Sequence, residues 1–141
     1  PNEGVITLHK GDAMGTIIGG NLCTLNLLQG TEYMPDVDNI VLFLEDDEMA
    51  GLDFIREFDR NLQSLLHCLK NKNIEAIIVG RAQISNQMTV QKWKTIFETK
   101  KELQNVPILI NADFGHTTPI FTFPIGGTCE VKDGKIKIYE K

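Results

Sequence analysis

Three short apolar segments, separated by longer amphipathic ones, restrict the fold of this chain more than any other feature. The apolar segments are residues 40–44, 76–79 and 107–110. Continuous apolar runs of this length are typical of strands that are buried on both faces. Over residues 52–69 and 90–103, apolar side chains recur every three or four positions, which predicts two amphipathic helices. Strands that alternate with helices indicate an α/β domain with a mainly parallel central sheet.

The N-terminal segment predicts two further strands and a short helix. Residues 5–8 are rich in β-branched side chains and favour a strand, and we expect residues 16–18 to be its partner. A Gly-Gly pair directly precedes Asn21. This pattern predicts a tight turn, with Asn21 as the N-cap of a helix over residues 21–29.

The C-terminal segment predicts an antiparallel element. Asp133 and Gly134 lie between residues 128–131 and 135–139. An Asp-Gly pair between two such runs is a strong signal for a β-hairpin with a type I′ turn. We expect this hairpin to pack at one side of the sheet. Residues 111–124, rich in Gly, Pro, Thr and aromatic side chains, predict a long loop before it.

Length and composition limit the classes of protein to consider. A chain of 141 residues fits one domain with its own apolar core. Its net charge of -5 and scattered lysines argue against a nucleic-acid partner, because phosphate backbones attract basic surfaces. Three widely spaced cysteines do not suit a disulfide framework, so we expect a reducing cytoplasm. No apolar run approaches the roughly 20 residues that cross a bilayer, and we expect no membrane association.

Two candidate functional residues follow buried strands. Glu45 comes directly after the apolar run 40–44, and His116 lies in the loop after the run 107–110. The carboxyl ends of parallel strands share one sheet edge, where α/β proteins place their ligands, so we expect both side chains there. Each also has a simpler explanation. The acidic residues 45–48 could begin a helix, and His116 could be an ordinary loop histidine bonded to the backbone.

A complete nucleophilic site is not visible in this sequence. Ser64 lies in the first amphipathic helix and Ser85 in a polar loop, and neither occupies the Gly-x-Ser turn that exposes a nucleophile. The histidines and cysteines lack the paired spacing of a metal site, and no cofactor motif occurs. We therefore expect no metal and no cofactor. An acid and a base without a nucleophile cannot complete covalent catalysis.

Short segments spread along nearly the whole chain form one consistent pattern. They are Gly19-Gly20-Asn21-Leu22, Gly30-Thr31, Leu42-Phe43-Leu44-Glu45-Asp46, Val79-Gly80-Arg81, Phe114-Gly115-His116-Thr117 and Pro124-Ile125-Gly126-Gly127. In this order and spacing the chain resembles the LD-carboxypeptidase family, which includes murein tetrapeptide carboxypeptidases and microcin C immunity proteins. The segments fall on the strand ends and loops that the residue pattern marks.

The resemblance implies a two-domain serine peptidase, in which an N-terminal domain supplies the serine and a C-terminal domain supplies glutamate and histidine. Residues 1–141 would be the C-terminal domain, and the N-terminal nucleophile domain would be absent from this chain, which begins at Pro1 without methionine. The implied fold is a swivelling-type β/α domain with a mainly parallel central sheet and a C-terminal β-hairpin.

The resemblance also assigns roles to residues. Glu45 matches the acid after the Leu-Phe-Leu strand, and His116 matches the histidine of the Phe-Gly-His-Thr segment. Together they would be two members of a Ser-Glu-His triad, so we expect the isolated chain to be inactive. Asn21 and Thr117 would lie beside the cleft as substrate contacts, although capping and turn hydrogen bonds explain both residues equally well.

Family substrates are small amides with a free carboxylate, which implies a small peptide or a peptidyl-nucleotide as substrate. The Phe-Gly-His-Thr-Thr-Pro segment favours microcin C immunity over murein tetrapeptide cleavage in cell-wall recycling. The expected partner is the N-terminal domain, with a homodimer as an alternative. Two other functions stay open: a non-enzymatic α/β binding module, and a metal-dependent hydrolase that uses His116, Asp113 and Glu45.

Overall fold

Seven strands form a single sheet in the computed structural model, which describes residues 3–141. In chain order they are β1 Ile6–His9, β2 Ala13–Asn21, β3 Asn39–Glu45, β4 Asn73–Gly80, β5 Ile108–Ala112, β6 Thr128–Lys132 and β7 Lys135–Tyr139. Their order across the sheet is β1-β5-β4-β3-β2-β6-β7. The helices are α1 Leu22–Leu25, α2 Phe54–Cys68 and α3 Val90–Glu98, with 3-10 turns at Asn26–Leu28, Gly51–Asp53, Ile84–Asn86 and Lys101–Leu103.

The α/β class is confirmed, but the sheet is mixed rather than mainly parallel. Strands β2, β3, β4 and β5 run parallel to one another at its centre. β1 pairs antiparallel with β5, and β6 pairs antiparallel with both β2 and β7. The predicted C-terminal hairpin forms from β6 and β7, and it lies at one side of the sheet as an extension from β2.

Two predictions for the N-terminal segment are wrong. Residues 16–18 do not pair with β1, because β2 is already bonded to β3 on one side and to β6 on the other. The Gly-Gly pair is no turn, since β2 continues through it to Asn21. A Cβ on Gly19 would stand 1.9 Å from the carbonyl oxygen of Phe43, so glycine is needed here because two strands approach closely. The predicted helix over residues 21–29 is α1 followed by a 3-10 turn.

The central strands are buried on both faces, as their continuous apolar sequence predicts. Leu42 and Leu44 of β3 face the helices, where they pack in one core with apolar residues of α1, α2 and α3. Phe43 faces the other side, in a second core. There it packs against Phe114 and Phe123, with ring centroids 5.5 Å and 4.6 Å away. The long loop after β5 thus covers the face of the sheet that has no helix.

The two long helices form where the apolar periodicity predicts them, with different boundaries. α2 begins at Phe54, so the acidic residues 46–48 precede it as a loop and do not cap it. α3 ends at Glu98, and the apolar residue Leu103 belongs to a separate 3-10 turn. Trp93 of α3 packs edge-on against Phe58 of α2, with centroids 4.9 Å apart, which joins the helices over the sheet.

Within residues 3–141, no helix is long and apolar enough to span a bilayer.

The three cysteines are free thiols: Cys23 and Cys68 are exposed, and Cys129 is buried. Burial raises the pKa of the Cys129 thiol to about 11, so this side chain is an inert part of the core.

Lys100, although charged, is 4% exposed and anchors the end of α3. Its Nζ forms an ion pair with Asp59 of α2 and donates to Thr99 Oγ1 at 2.8 Å and to the Ile96 carbonyl at 3.2 Å. We expect Lys100→Met to lower the free energy of unfolding by about 1–3 kcal/mol, because the stem stays packed while these bonds are lost. Urea unfolding measures this. The exposed neighbour Lys101→Met is the control, and equal stability of both variants would contradict the prediction.

Candidate active site

The carboxyl ends of the parallel strands bring the candidate residues to one edge of the sheet. Asn21 ends β2 and Glu45 ends β3, and the two residues are partners in the register between these strands. β4 ends at Gly80, and β5 ends at Ala112, from which the long loop with His116 departs. Residues far apart in sequence therefore meet where α/β proteins place their sites.

Glu45 and His116 are in direct contact. The Nδ1 atom of His116 lies 2.7 Å from Oε2 of Glu45. The Glu45 side chain is 8% exposed, whereas the His116 side chain is 47% exposed. A buried carboxylate thus holds one nitrogen of an accessible imidazole, and Nε2 is the ring nitrogen available to exchange a proton with a substrate group. The contact agrees with the expectation from the sequence, while the catalytic roles stay predictions.

The surroundings of His116 favour its charged form. The hydrogen bond with Glu45 raises the pKa of His116 above its ordinary value. Partial burial opposes this rise, and the negative charges of Glu45, Asp47 and Asp46 raise the pKa further.

Asp46 and Asp47 also order their own loop, because their carboxylates accept the backbone N–H groups of Asp47 and Met49 at 2.9 Å. The acidic run is therefore a structured loop beside the imidazole.

Two glycines leave the space that the Glu45 side chain occupies. A Cβ on Gly115 would stand 2.8 Å from Glu45 Oε2 and 2.9 Å from its Cγ, and Gly115 has a positive φ of 103°. A Cβ on Gly80 would stand 2.5 Å from the Phe114 carbonyl oxygen and 3.1 Å from Glu45 Cβ. Both glycines belong to segments that carry the family resemblance. Their geometry explains why glycine is needed at these positions, because the Glu45 side chain is packed between two backbones.

We expect Gly115→Ala to displace the Glu45 carboxylate and to lower the pKa of His116 toward its ordinary value. The added methyl would overlap the carboxylate, and the left-handed backbone at this position also disfavours alanine. NMR titration of His116 in the variant measures the effect. Gly126→Ala, which also has a positive φ but has open space around its Cβ position, controls for backbone strain. An unchanged pKa in Gly115→Ala would contradict the prediction.

Asn21 and Thr117 lie at the site with different surroundings. Asn21 is the N-cap of α1, as predicted: its Oδ1 accepts the N–H of Thr24 at 3.0 Å. Its Nδ2 donates to Asp46 Oδ1 at 3.1 Å, so the polar atoms of Asn21 serve structural bonds. Thr117 lines a cavity beside His116, and its Oγ1 is buried without a hydrogen-bond partner among the described residues. A substrate role for either residue stays a prediction.

A cavity of about 430 Å³ opens beside His116. Its lining residues come from the loops after β3, β4 and β5: Glu48, Arg81, Ala82, Gln83, Ile84, Ser85, His116, Thr117 and Thr118. Ser85 Oγ donates to Glu48 Oε2 at 2.8 Å, and Asn86 Nδ2 donates to the Gly51 carbonyl at 3.0 Å, which ties two of these loops together. The sequence did not predict Glu48, Gln83 and Ser85 as lining residues of this cavity, because no functional motif contains them.

The described residues contain neither a serine placed to act as the nucleophile for His116 nor a metal site. Ser85 shares the cavity with His116, but its hydroxyl bonds to Glu48, and Ser64 bonds to Gln29 Oε1 at 3.2 Å. The suggested metal site of His116, Asp113 and Glu45 does not form. Asp113 pairs with Arg81 at 2.8 Å, and within residues 3–141 no group of three or more His, Cys, Asp or Glu is placed to hold a metal ion.

Comparison with known families gives a match over most of the chain. The family described as the LD-carboxypeptidase C-terminal domain matches residues 14–131. This range contains β3, β4, β5 and all of β2 except its first residue, together with Glu45 and His116.

Individual relatives agree with this match. YocD of Bacillus subtilis is 50% identical over 132 residues, which is 94% of this chain and 40% of YocD. The microcin C7 self-immunity protein MccF of Escherichia coli is 30% identical over 123 residues, 83% of this chain and 33% of MccF. The crystal structure of an MccF-like protein from Bacillus anthracis superimposes with a TM-score of 0.90 at 45% identity, covering 97% of this chain and 42% of that one. The chain thus spans less than half the length of these relatives.

Proposed function

The chain belongs to the LD-carboxypeptidase C-terminal domain family, and from this premise we propose that it supplies the glutamate and histidine of the Ser-Glu-His triad of a serine carboxypeptidase. The observation that carries the proposal is the 2.7 Å contact between His116 Nδ1 and the buried carboxylate of Glu45. A base held by an acid in this manner is the arrangement that activates a serine nucleophile.

His116 is the general base and then the general acid. Through Nε2 it takes the proton of the serine hydroxyl as the oxygen attacks the scissile carbonyl carbon. The same nitrogen then gives this proton to the leaving amine, and in the second half of the reaction it activates water to release the acyl group. Glu45 keeps the Nδ1 proton in place and stabilises the imidazolium that forms.

The serine comes from a region outside these residues. Ser64 and Ser85 are bonded elsewhere, and the relatives are more than twice as long as this chain. We assign the nucleophile to an N-terminal domain that meets this one, a swivelling-type β/α domain as the family resemblance implies, across the exposed side of His116. In the proposed full-length enzyme, this domain follows such an N-terminal domain. The domain alone is inactive.

The substrate is a small amide that carries a free carboxylate. The likeness to an MccF-like protein at 45% identity supports a peptidyl-nucleotide of the kind that a microcin C immunity protein would remove. The family name supports the alternative, an L,D amide bond before a terminal D-amino acid in murein tetrapeptide.

Hydrolysis assays on three samples test the proposal. The full-length enzyme, this chain alone, and the chain mixed with the separate N-terminal domain are each given processed microcin C and murein tetrapeptide. We expect cleavage by the full-length enzyme, none by the chain alone, and partial recovery in the mixture. Cleavage by the chain alone at the full-length rate would contradict the shared triad, and preference for the tetrapeptide would reassign the substrate.

A further inference from the structure

The loop that carries His116 is closed at its base. The N–H of Phe121 donates to the carbonyl oxygen of Asp113 at 2.7 Å, so the chain leaves and returns at nearly the same place, with His116 between. A histidine on a loop keeps one orientation only if the surrounding structure holds that loop, because loop backbone is freer than strand backbone. The geometry of the Glu45 contact therefore depends on what fixes residues 113–121.

Arg81 reaches this loop from the neighbouring strand. It directly follows β4, and its backbone N–H donates to the Ala112 carbonyl at 2.9 Å, which attaches it firmly to β5. Its side-chain Nη2 donates to Asp113 Oδ1 at 2.8 Å and to the Pro119 carbonyl at 3.2 Å. The side chains of Arg81 and Asp113 are 19% and 29% exposed, so water screens this ion pair only in part.

We propose that Arg81 is a positioning residue for His116: its guanidinium joins both arms of the His116 loop and so holds the imidazole against Glu45. The proposal rests on the proposed function, since it concerns the base of that reaction. One nitrogen with two hydrogens bonds one acceptor on each side of His116, at positions 113 and 119. Methionine matches the stem of arginine to about the position of Nε but donates no hydrogen bond, so Arg81→Met removes both bonds to the loop while it keeps the packing of the stem.

The pKa of His116, measured by NMR titration of this chain, separates positioning from a simple charge effect. The charged side chains around the imidazole are those of Glu45, Asp46, Asp47, Glu48 and Arg81. If Arg81 positions the loop, Arg81→Met weakens the bond to Glu45 and the pKa falls toward its ordinary value. If Arg81 acts only as a nearby cation, its removal leaves the acids less balanced and the pKa rises. A fall supports the proposal, and a rise or no change overturns it.

Turnover of the full-length enzyme gives the second readout. We expect Arg81→Met to lower kcat about 10- to 100-fold with a smaller change in KM, because a misplacement of about 1 Å has an effect of this size. Arg56→Met serves as the control, because it removes a similar but exposed pair in which Arg56 of α2 lies 2.7 Å from Asp53, just before the helix. Wild-type kcat in Arg81→Met, together with an inactive His116→Ala, would overturn the positioning role and leave the proposed function intact.

Thermal unfolding of both variants shows whether loss of kcat reflects loss of the fold. If Arg81→Met does not fold, Arg81→Lys replaces it, because an ammonium on a flexible stem keeps the charge without the rigid guanidinium geometry. The pKa of His116 in Arg81→Lys is then expected to fall as well, by less. An unchanged pKa in a folded Arg81→Lys would overturn the proposal. Full activity of His116→Ala would instead remove the proposed function on which it rests.

Discussion

Replacement of His116 by alanine is expected to lower kcat of the full-length enzyme by about four to six orders of magnitude. This is the size of the loss when the base of a serine triad is removed, because the serine hydroxyl then has no group to accept its proton. KM should change little, because in the proposed mechanism the imidazole acts on the nucleophile and does not bind substrate. Steady-state and single-turnover hydrolysis measure both quantities.

The structure makes this a clean test. His116 is on the surface side of Glu45, with its side chain 47% exposed, so its truncation should not unfold the domain. His67, exposed near the end of α2, is the matched control, and His67→Ala should leave kcat unchanged. Turnover within tenfold of wild type in His116→Ala would remove the assignment of this residue as the base.

Replacement of Glu45 by glutamine is expected to lower kcat by about 10³ to 10⁴, the second largest effect. Glutamine has almost the same shape, but it removes the negative charge that stabilises the imidazolium and can favour the wrong tautomer of His116. Because Glu45 is buried and 2.7 Å from Nδ1, water cannot easily replace its carboxylate.

The pH dependence gives Glu45→Gln a second signature. A base must be neutral to act, so with His116 as the proposed base we expect kcat/KM to rise with pH through the pKa of this residue. The hydrogen bond to Glu45 raises that pKa, and its loss should move the acid limb of the profile to lower pH while the plateau falls. Glu57→Gln, on the exposed surface of α2, is the control. An acid limb that stays in place, or moves to higher pH, would contradict the role of Glu45.

The layers of the fold could be predicted from local pattern alone. Residues 40–44, 76–79 and 107–110 became the cores of β3, β4 and β5, because a strand between two apolar layers needs apolar side chains on both faces. The amphipathic spacing over residues 52–69 and 90–103 likewise predicted where α2 and α3 would cover the sheet.

The pairing at the sheet edges could not be predicted in this way. β1 joins β5 rather than the adjacent β2, and β6 crosses to β2, because these pairings depend on which edges the central strands leave open. Gly19 and Gly20 have the local signal of a turn, yet they lie within β2, where the approach of the Phe43 backbone requires glycine at position 19. The backbone hydrogen bonds of β2 override the local turn signal, and these bonds form only when distant segments meet.

For the site, the sequence by itself determined that Glu45 and His116 follow buried strands, and its family resemblance separated Glu45 from the acids beside it. Only the tertiary structure decided that Glu45 is buried, that Nδ1 of His116 meets it at 2.7 Å, and that Gly115 leaves room for the carboxylate. It alone placed Arg81 across the His116 loop. The physical reason is common to all of these. Hydrogen-bond geometry and the exclusion of water depend on backbones brought together from distant parts of the chain, and a local pattern of residues does not predict how close those backbones lie.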